Sequence, residues 1–168
     1  MDVWFIITFF GMPELWVGLS FFFIGVYFLL RGYGKKNADL KKFLVIMVPS
    51  LFLALFITQA LKTAVDMPRP CIPCNGYNVY CNPYCHADNS FPSGHTATIF
   101  TVFTSGLIAT RKYKKQMIIG FLIPVVVSLS RIMLGVHTPI DVAGGALIGL
   151  CLPVAMTYTY KKTKLAKI

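Results

Sequence analysis

Long apolar stretches separated by short polar segments dominate the pattern of this chain. Five are found, at 15–30, 43–61, 96–110, 117–129 and 139–160. A helix needs about 20 apolar residues to cross a bilayer core. The third and fourth stretches reach that length only if their helices include the polar flanks at 93–95 and 130–135. On that condition, the pattern predicts an all-α membrane bundle with five transmembrane helices.

A shorter apolar segment precedes these stretches, at 3–10, and ends before Gly11 and Pro13. It is too short to span a bilayer. It also has neither the basic start nor the small-residue cleavage site of a signal peptide. We expect a short interfacial helix that leads into the first span.

Composition supports a membrane protein. Hydrophobic residues make up 56 % of the chain, charged residues 13 %, and the mean hydropathy is +0.67. Soluble domains carry about 25 % charged residues. A formal net charge of +10 would suggest nucleic acid as the partner of a soluble protein. Here we expect the bilayer as the partner and no nucleic acid, and we interpret residues 1–168 as one membrane-embedded domain.

The basic residues predict an orientation. Thirteen of the 16 fall between the first and second stretches, between the third and fourth, or after the fifth. Five spans place these segments on one side, which the positive-inside rule makes cytoplasmic. The N-terminus is then outside and the C-terminus in the cytoplasm. The thirteen are Arg31, Lys35, Lys36, Lys41, Lys42, Arg111, Lys112, Lys114, Lys115, Lys161, Lys162, Lys164 and Lys167.

Three basic residues, Lys62, Arg69 and Arg131, are left on the outer side. A single one would be interpreted as a snorkelling side chain at a helix end. Three on one face favour a bound anion. Guanidinium groups bind phosphate oxygens through paired hydrogen bonds, and lysine acts as a point charge. These three could hold a phosphoryl group and neutralise charge in its transition state.

The string SRIMLGVHTPID (130–141) places Asp141 four residues after His137. Residues at this spacing share one face of a helix. The carboxylate could accept a hydrogen bond from one ring nitrogen and make the other more nucleophilic. An ordinary interfacial histidine is the alternative. However, a carboxylate at the edge of an apolar span is costly without a partner.

The string PSGH (92–95) is typical of a helix start, with Ser93 as N-cap and Gly94 allowing a ligand to approach the backbone. The N–H groups of a helix N-terminus bind anions readily. His95 could face the same anion and protonate a leaving oxygen. A capping motif without function is the alternative.

Together these strings resemble the three-part signature of the type 2 phosphatidic acid phosphatase superfamily. The signature positions are filled in order by Lys62, Arg69, Pro70, Pro92, Ser93, Gly94, His95, Ser130, Arg131, His137 and Asp141. The resemblance implies a phosphatase that needs no metal or other cofactor and works through a phosphohistidine. It implies that His137 attacks phosphorus, that Asp141 orients it, and that His95 protonates the leaving group and then activates water. It assigns the phosphoryl oxygens to Lys62, Arg69, Ser93, Gly94 and Arg131.

Superfamily members of this size resemble lipid phosphatases, so we expect a lipid phosphate substrate and a multi-pass cell-membrane protein whose active site faces the extracytoplasmic side. A polyprenyl diphosphate of the undecaprenyl or dolichyl type is favoured, because that carrier is recycled on the outer face. Phosphatidylglycerol phosphate and phosphatidate are alternatives. A non-enzymatic zinc-binding membrane protein is an alternative of another class. The oligomeric state is left open.

The predicted outer loop (63–92) contains four of the five cysteines: Cys71, Cys74, Cys81 and Cys85. The spacing between the two pairs is shorter than in most four-cysteine zinc sites, where about 15–20 residues separate them. Thiols outside the cell tend to be oxidised, so two disulfides are favoured over zinc. Three pairings are possible. We expect the cross-links to restrict residues 71–91 and to help hold Arg69 toward the PSGH turn.

Overall fold

A computed structural model of the chain describes residues 3–34, 37–74, 81–110 and 113–162. This part of the chain is helical and contains no β-strand, only an isolated bridge between Pro73 and Asn82. The all-α prediction is therefore confirmed. The helices are α1 (Val3–Phe9), α2 (Pro13–Gly32), α3 (Ala38–Val65), α4 (Gly94–Ala109), α5 (Lys114–Gly120), α6 (Leu122–Met133) and α7 (Pro139–Lys162).

Four helical segments are long and apolar enough to cross a membrane: Pro13–Gly32, Ala38–Val65, Lys114–Met133 and Pro139–Lys162. They correspond to the first, second, fourth and fifth apolar stretches. The fourth begins at Lys114 and includes its polar flank only as far as Met133, short of the predicted 135. The third stretch forms α4, which has 16 residues. At 1.5 Å per residue it is about 24 Å long, shorter than a bilayer core of about 30 Å.

Helix α4 is the centre of the bundle and packs against α3 and α7. Several of its hydroxyl side chains are buried, and two of them bond to the preceding turn: Thr101 donates to the Ala97 carbonyl at 2.8 Å and Ser105 to the Thr101 carbonyl at 2.7 Å. The backbone of α4 thus satisfies two of its buried hydroxyl groups. The hydroxyls of Thr98 and Thr104 are buried without a hydrogen-bond partner among the described residues. Exposed apolar side chains lie on the outer helices instead, for example on α2, where Phe21 and Phe22 are 68 % and 62 % exposed.

The contact between α4 and α7 depends on two glycines of α7. A Cβ atom on Gly145 would lie 2.5 Å from the Ser93 carbonyl oxygen, and one on Gly149 would lie 2.6 Å from the Ala97 carbonyl oxygen. Both approaches are closer than a side chain tolerates. The glycines thus let α7 pack directly on the backbone of α4, which holds the starts of the two helices together.

The helices give the bundle two chemically different ends. The site end comprises the end of α3, the starts of α4 and α7, and the end of α6. The basic end comprises the end of α2, the start of α3, α5 and the end of α7, with the described residues Arg31, Lys41, Lys42, Lys114, Lys115, Lys161 and Lys162. Six other residues of the orientation argument, Lys35, Lys36, Arg111, Lys112, Lys164 and Lys167, lie outside the described residues.

The N-terminal segment forms α1 and packs against α6 near the site end. Thr8 is only 1 % exposed, and the Phe5 ring stacks on Tyr84 of the outer loop with centroids 5.0 Å apart. The predicted helix is therefore present. Its contacts with α6 and the outer loop place it beside the site end, behind residues that line the cavity.

Candidate functional site

A cavity of about 450 Å³ opens at the site end of the bundle. Six of the eight residues that the sequence predicts for catalysis and phosphate binding line it: Lys62, Arg69, Gly94, His95, Arg131 and His137. The other two, Ser93 and Asp141, are fully buried and lie behind the lining residues. Residues from distant parts of the chain thus meet in one place.

Helix ends position most of these side chains. Lys62 lies in the last turn of α3, His95 in the first turn of α4, and Arg131 in the last turn of α6. His137 lies in the connection between α6 and α7. Helix ends leave backbone groups unpaired, and the first turn of α4 presents N–H groups at a cavity lined by Gly94 and His95.

Ser93 occupies the N-cap position of α4, as predicted, although its side chain makes no capping hydrogen bond. Instead, its backbone N–H donates to the Asp141 carbonyl at 2.9 Å, and its hydroxyl accepts from Thr96 at 3.1 Å. Ser93 therefore joins the start of α4 to the start of α7, and its hydroxyl lies behind the cavity wall.

The ring of His137 lies between a carboxylate and a guanidinium group. Its Nδ1 is 3.5 Å from Asp141 Oδ2, and its Nε2 is 3.2 Å from Arg69 Nη1. Arginine can only donate, so this contact requires an unprotonated Nε2. The ring proton of the neutral histidine is then on Nδ1, facing Asp141. This tautomer leaves the lone pair of Nε2 directed toward the arginine and the cavity.

Asp141 is held in place by groups other than the histidine. The Ser90 hydroxyl donates to its Oδ2, and the Thr138 backbone N–H donates to the same oxygen at 2.7 Å. The Ser90 hydroxyl also lies 3.5 Å from His137 Nδ1. These contacts hold a carboxylate that has no exposure to solvent.

The cationic groups divide into two sets. Lys62 and Arg69 share Asp88: Lys62 Nζ lies 2.5 Å from Asp88 Oδ2, and Arg69 Nη2 lies 2.7 Å from Asp88 Oδ1. Arg131 has a different partner and donates from Nη1 to the Thr8 hydroxyl at 2.8 Å. The three cations that the sequence predicts to bind phosphate thus line one cavity.

Two pKa shifts outside the membrane-spanning helices follow from this arrangement. Burial opposes ionisation of Asp88, but hydrogen bonds from Lys62 and Arg69 outweigh it and lower the pKa of Asp88 to about 2. Burial, followed by the charges of Arg69 and Arg131, lowers the pKa of His137 well below its ordinary 6.5. At neutral pH the first group is therefore anionic and the second neutral.

Glycine 11, between α1 and α2, packs directly on the site. A Cβ atom there would lie 2.8 Å from Val127 Cγ1 and 3.1 Å from His95 Cβ. The absence of a side chain therefore lets the α1–α2 junction approach the ring of His95. Gly11 and Thr8 were outside the predicted site, because no short motif links the N-terminal segment to the three strings.

The cysteines form two nested disulfides, Cys71–Cys85 and Cys74–Cys81. This confirms the preference for disulfides and selects one of the three pairings. With all four sulfur atoms in disulfide bonds, the loop offers no thiolate to a zinc ion. Residues 75–80 of the loop lie outside the described residues. Asn82 donates from Nδ2 to the Leu134 carbonyl at 2.7 Å, so the loop is also tied to the α6–α7 connection.

The Cys71–Cys85 disulfide joins the segment that contains Arg69 to the segment that contains Asp88. Cys71 follows Arg69 by two residues, and Cys85 precedes Asp88 by three. Asp88 and Ser90 were not assigned roles from the sequence. Their position just before PSGH is the one feature of the sequence that could have drawn attention to them. An aspartate or serine in a loop is usually solvated, so this feature did not suffice.

Solved structures and curated proteins resemble this chain. The structure is similar to the PAP2-type phosphatidylglycerolphosphate phosphatase of Bacillus subtilis, with a TM-score of 0.72 and 26 % identity, over 96 % of this chain and 77 % of that chain. Lipid phosphate phosphatase 2 of Arabidopsis thaliana is 31 % identical over 86 % of this chain and 58 % of its own length.

The undecaprenyl-diphosphatase of Sulfolobus acidocaldarius is 40 % identical over 37 % of this chain and 29 % of its own length. The chain spans about half of the length of the first curated relatives, 48 % in one case and 36 % in another. The family model of the PAP2 superfamily matches residues 43–165, which include every predicted catalytic and phosphate-binding residue. This chain belongs to the PAP2 superfamily, as the three motifs predicted.

Proposed function

We propose that this protein is a membrane phosphatase that removes phosphate from a lipid phosphate or diphosphate through a phosphohistidine intermediate. The observation that carries the proposal is the position of His137. Its Nδ1 faces the carboxylate of Asp141, and its Nε2 faces a cavity lined by Lys62, Arg69 and Arg131. The groups that we propose as nucleophile, orienting carboxylate and phosphate-binding cations therefore lie close together, which supports this mechanism.

In the first chemical step, Nε2 of His137 forms a bond to phosphorus while the bond from phosphorus to the leaving oxygen breaks. Asp141 stabilises the positive charge that develops on the ring through its contact with Nδ1. The distance of 3.5 Å is long for a hydrogen bond, as is common before substrate binds. His95, on the wall of the same cavity, enters this step as the imidazolium and donates its extra proton to the leaving oxygen of the lipid.

In the second step, water attacks the phosphorus of phosphohistidine 137 and the nitrogen–phosphorus bond breaks. His95, now neutral, accepts a proton from that water. Inorganic phosphate leaves, and His137 returns to its starting state. One water is consumed for each phosphate released, and His95 recovers the proton it gave away.

The clamp stabilises charge in both steps. Lys62, Arg69 and Arg131 neutralise the phosphoryl oxygens, and the N–H group of Gly94 is a candidate for the remaining oxygen. The N–H of Ser93 is already bonded to the Asp141 carbonyl, so the role that the motif implies for Ser93 becomes that of holding the start of α4 in place. A hydrogen bond between such charged groups contributes about 1.5–3 kcal/mol. These residues supply the electrostatic stabilisation directly, so the proposal uses no metal or cofactor.

The shape of the cavity supports a lipid substrate. Besides the charged groups, it is lined by Leu55, Thr58 and Gln59 of α3 and by Pro13 at the start of α2. Leu55 lies seven residues before Lys62, which is about 10 Å along a helix. The cavity therefore extends from the clamp toward the apolar part of the bundle. A lipid headgroup could bind there with its tail between α2 and α3.

We further propose that α4 is a fifth span and that the site end faces the outside of the cell. Helix α4 is short, but its neighbours α3 and α7 cover it. The exposed lysines of the basic end, such as Lys114 and Lys161, favour a cytoplasmic location for that end. This orientation puts the beginning of α2 outside and the end of α7 in the cytoplasm, and places α1 at the outer interface.

A polyprenyl diphosphate is the favoured substrate, and the similarity to an undecaprenyl-diphosphatase supports it. Phosphatidylglycerol phosphate is a second candidate, because the structural match to a phosphatidylglycerolphosphate phosphatase covers almost the whole chain. The two substrates share the phosphate chemistry and differ in the lipid and in the leaving group.

A panel assay tests the proposal. Purified protein in detergent is given undecaprenyl diphosphate, phosphatidylglycerol phosphate and phosphatidate, with and without EDTA, and phosphate release is measured. We expect release from at least one lipid at a rate that EDTA does not change, with the diphosphate as the best substrate. Absence of release from every lipid, or loss of activity in EDTA, would contradict the proposal.

A further inference from the structure

We propose that Asp88 is a resident anion that occupies the phosphate clamp and competes with the phosphoryl group for Lys62 and Arg69. Its carboxylate places one oxygen on each cation: Oδ2 lies 2.5 Å from Lys62 Nζ, and Oδ1 lies 2.7 Å from Arg69 Nη2 and 3.1 Å from Arg69 Nε. Two oxygens of a phosphoryl group would use the same donors. The inference rests on the proposed function, because it concerns the same cavity.

The place of the carboxylate supports competition rather than a separate salt bridge. Arg69 contacts Asp88 through Nε and Nη2, while its Nη1 lies 3.2 Å from His137 Nε2. One guanidinium group therefore links Asp88 to the proposed nucleophile. Asp88 also lines the cavity together with His137. A phosphoryl group within reach of Nε2 would need the donors that Asp88 now occupies.

Burial indicates which partner moves. The side chains of Lys62 and Arg69 are 9 % and 6 % exposed, whereas that of Asp88 is 47 % exposed. The cations are confined by the protein, and the carboxylate borders open space. Substrate can therefore displace Asp88 by a rotation of its side chain while the clamp stays in place.

The backbone around Asp88 is fixed on both sides. Cys85 is bonded to Cys71, and Asn89 donates from Nδ2 to the Lys62 carbonyl at 2.9 Å. The Ser90 backbone N–H donates to the Met67 carbonyl at 2.7 Å. These anchors keep Asp88 close to the clamp after it leaves, so it can return at once. The depressed pKa keeps it anionic at neutral pH.

The consequence is a lower affinity for free phosphate. A site whose competent state is only partly populated binds its ligand more weakly by that fraction, so a clamp that is open about a tenth of the time binds about tenfold more weakly. Asp88 would thereby assist the release of inorganic phosphate, the product of the proposed reaction. It would also disfavour small phosphates that bring no lipid contacts to offset the competition.

The test measures binding of inorganic phosphate to the purified full-length protein in detergent and EDTA, without any substrate. We expect Asp88→Asn to lower the Kd for phosphate by about tenfold. Asp66→Asn is the matched control, because it removes the same charge from the same loop at a side chain that contacts Asn89 and neither cation of the pair. We expect its Kd to stay within about twofold of the wild type.

The outcomes separate this inference from the proposed function. Equal or weaker phosphate binding by Asp88→Asn would overturn the inference, because it would show that Asp88 only positions Lys62 and Arg69. Absence of phosphate binding in all three proteins would contradict the proposed function as well. If Asp88→Asn is unstable when free, its unfolding temperature should rise more with added phosphate than that of the wild type. A smaller rise would also overturn the inference.

Discussion

The two ends of the bundle contain the same types of basic residue in opposite environments. At the basic end, Lys114, Lys115 and Lys161 are exposed. At the site end, Lys62 and Arg131 are 7 % and 4 % exposed and line a cavity. Exposed cations cost little and are tolerated wherever water reaches them. Buried cations are costly unless a partner compensates for them. Burial and position, rather than residue type, therefore distinguish the cations proposed to bind phosphate from those at the basic end.

The largest expected effect comes from removing the proposed nucleophile at the site end. We expect His137→Ala to reduce phosphate release by at least about a thousandfold, because no other group would form the covalent intermediate. Phosphate release from a lipid diphosphate measures it, and an unchanged unfolding temperature would show that the variant is folded. Activity close to that of the wild type would reject His137 as the nucleophile.

The next prediction compares a substitution of a basic residue at the site end with one at the basic end. Arg69→Lys keeps the charge but loses the planar fork that reaches both Asp88 and His137. We expect kcat/KM to fall by about a hundredfold, the loss typical of removing one donor to a transition-state oxyanion. Lys115→Ala at the basic end is the control, with an expected change of less than about twofold. Similar losses in both variants would show that overall charge matters more than position.

A smaller effect on kcat is expected from a substitution at Gly11, where the N-terminal segment packs against His95. Gly11→Ala would place a methyl group 3.1 Å from His95 Cβ and 2.8 Å from Val127 Cγ1. We expect the displaced ring of His95 to lower kcat by about tenfold, because misplacement of a catalytic group by about 1 Å can cost up to a hundredfold. Gly18→Ala is the control, because a Cβ there meets no atom within 4 Å. Unchanged kcat in Gly11→Ala would show that α1 and α2 do not constrain His95.

The two disulfides test how much the cross-linked outer loop contributes to the stability of the fold. Replacing Cys71 and Cys85 together by serine should lower the free energy of unfolding by about 2–4 kcal/mol, because the unfolded chain is no longer constrained. Removing Cys74 and Cys81 instead should cost less, because that bridge closes a loop of 7 rather than 14 residues. Thermal unfolding measures both. Equal unfolding temperatures in all three proteins would contradict a supporting role.

The smallest expected effect is a dependence of stability on pH. The pKa of His137 is lowered in the folded protein from its ordinary 6.5, so below that pH the unfolded chain binds a proton that the folded chain does not. Stability should therefore decrease as the pH falls from 7 to 5, by at most about 1.4 kcal/mol per pH unit. His137→Gln should show a shallower decrease. An equal slope in both proteins would contradict the burial of a neutral His137.

How much of this could be predicted from sequence differs between the helices and the loop. The apolar stretches predicted where the helices lie, because bilayer-spanning segments must be apolar along their length. Helix α4 is shorter than a typical transmembrane helix, and α3 and α7 cover it. The sequence did not predict this packing, because it depends on contacts such as that of Gly145 with Ser93.

The site residues in the three strings could be predicted because motif, charge and spacing agreed. Those from the N-terminal segment and the outer loop could not. Thr8, Asp88 and Ser90 reach the site through contacts with residues far away in the sequence: Arg131 for Thr8, Lys62 and Arg69 for Asp88, and Asp141 for Ser90. Nothing in the local sequence distinguishes these polar residues from solvated ones. The pairing of the cysteines likewise depends on the folded loop and not on their spacing.

The central claim is that the site end forms a covalent phosphohistidine at residue 137. Purified protein is mixed with a lipid diphosphate, quenched in alkali to preserve a phosphorus–nitrogen bond, digested and analysed by mass spectrometry. The account predicts one phosphoryl group on His137 in the wild type and none on this peptide in His137→Ala. Phosphate release by the wild type with no phosphoryl group on His137, or with the phosphoryl group on His95 instead, would contradict it.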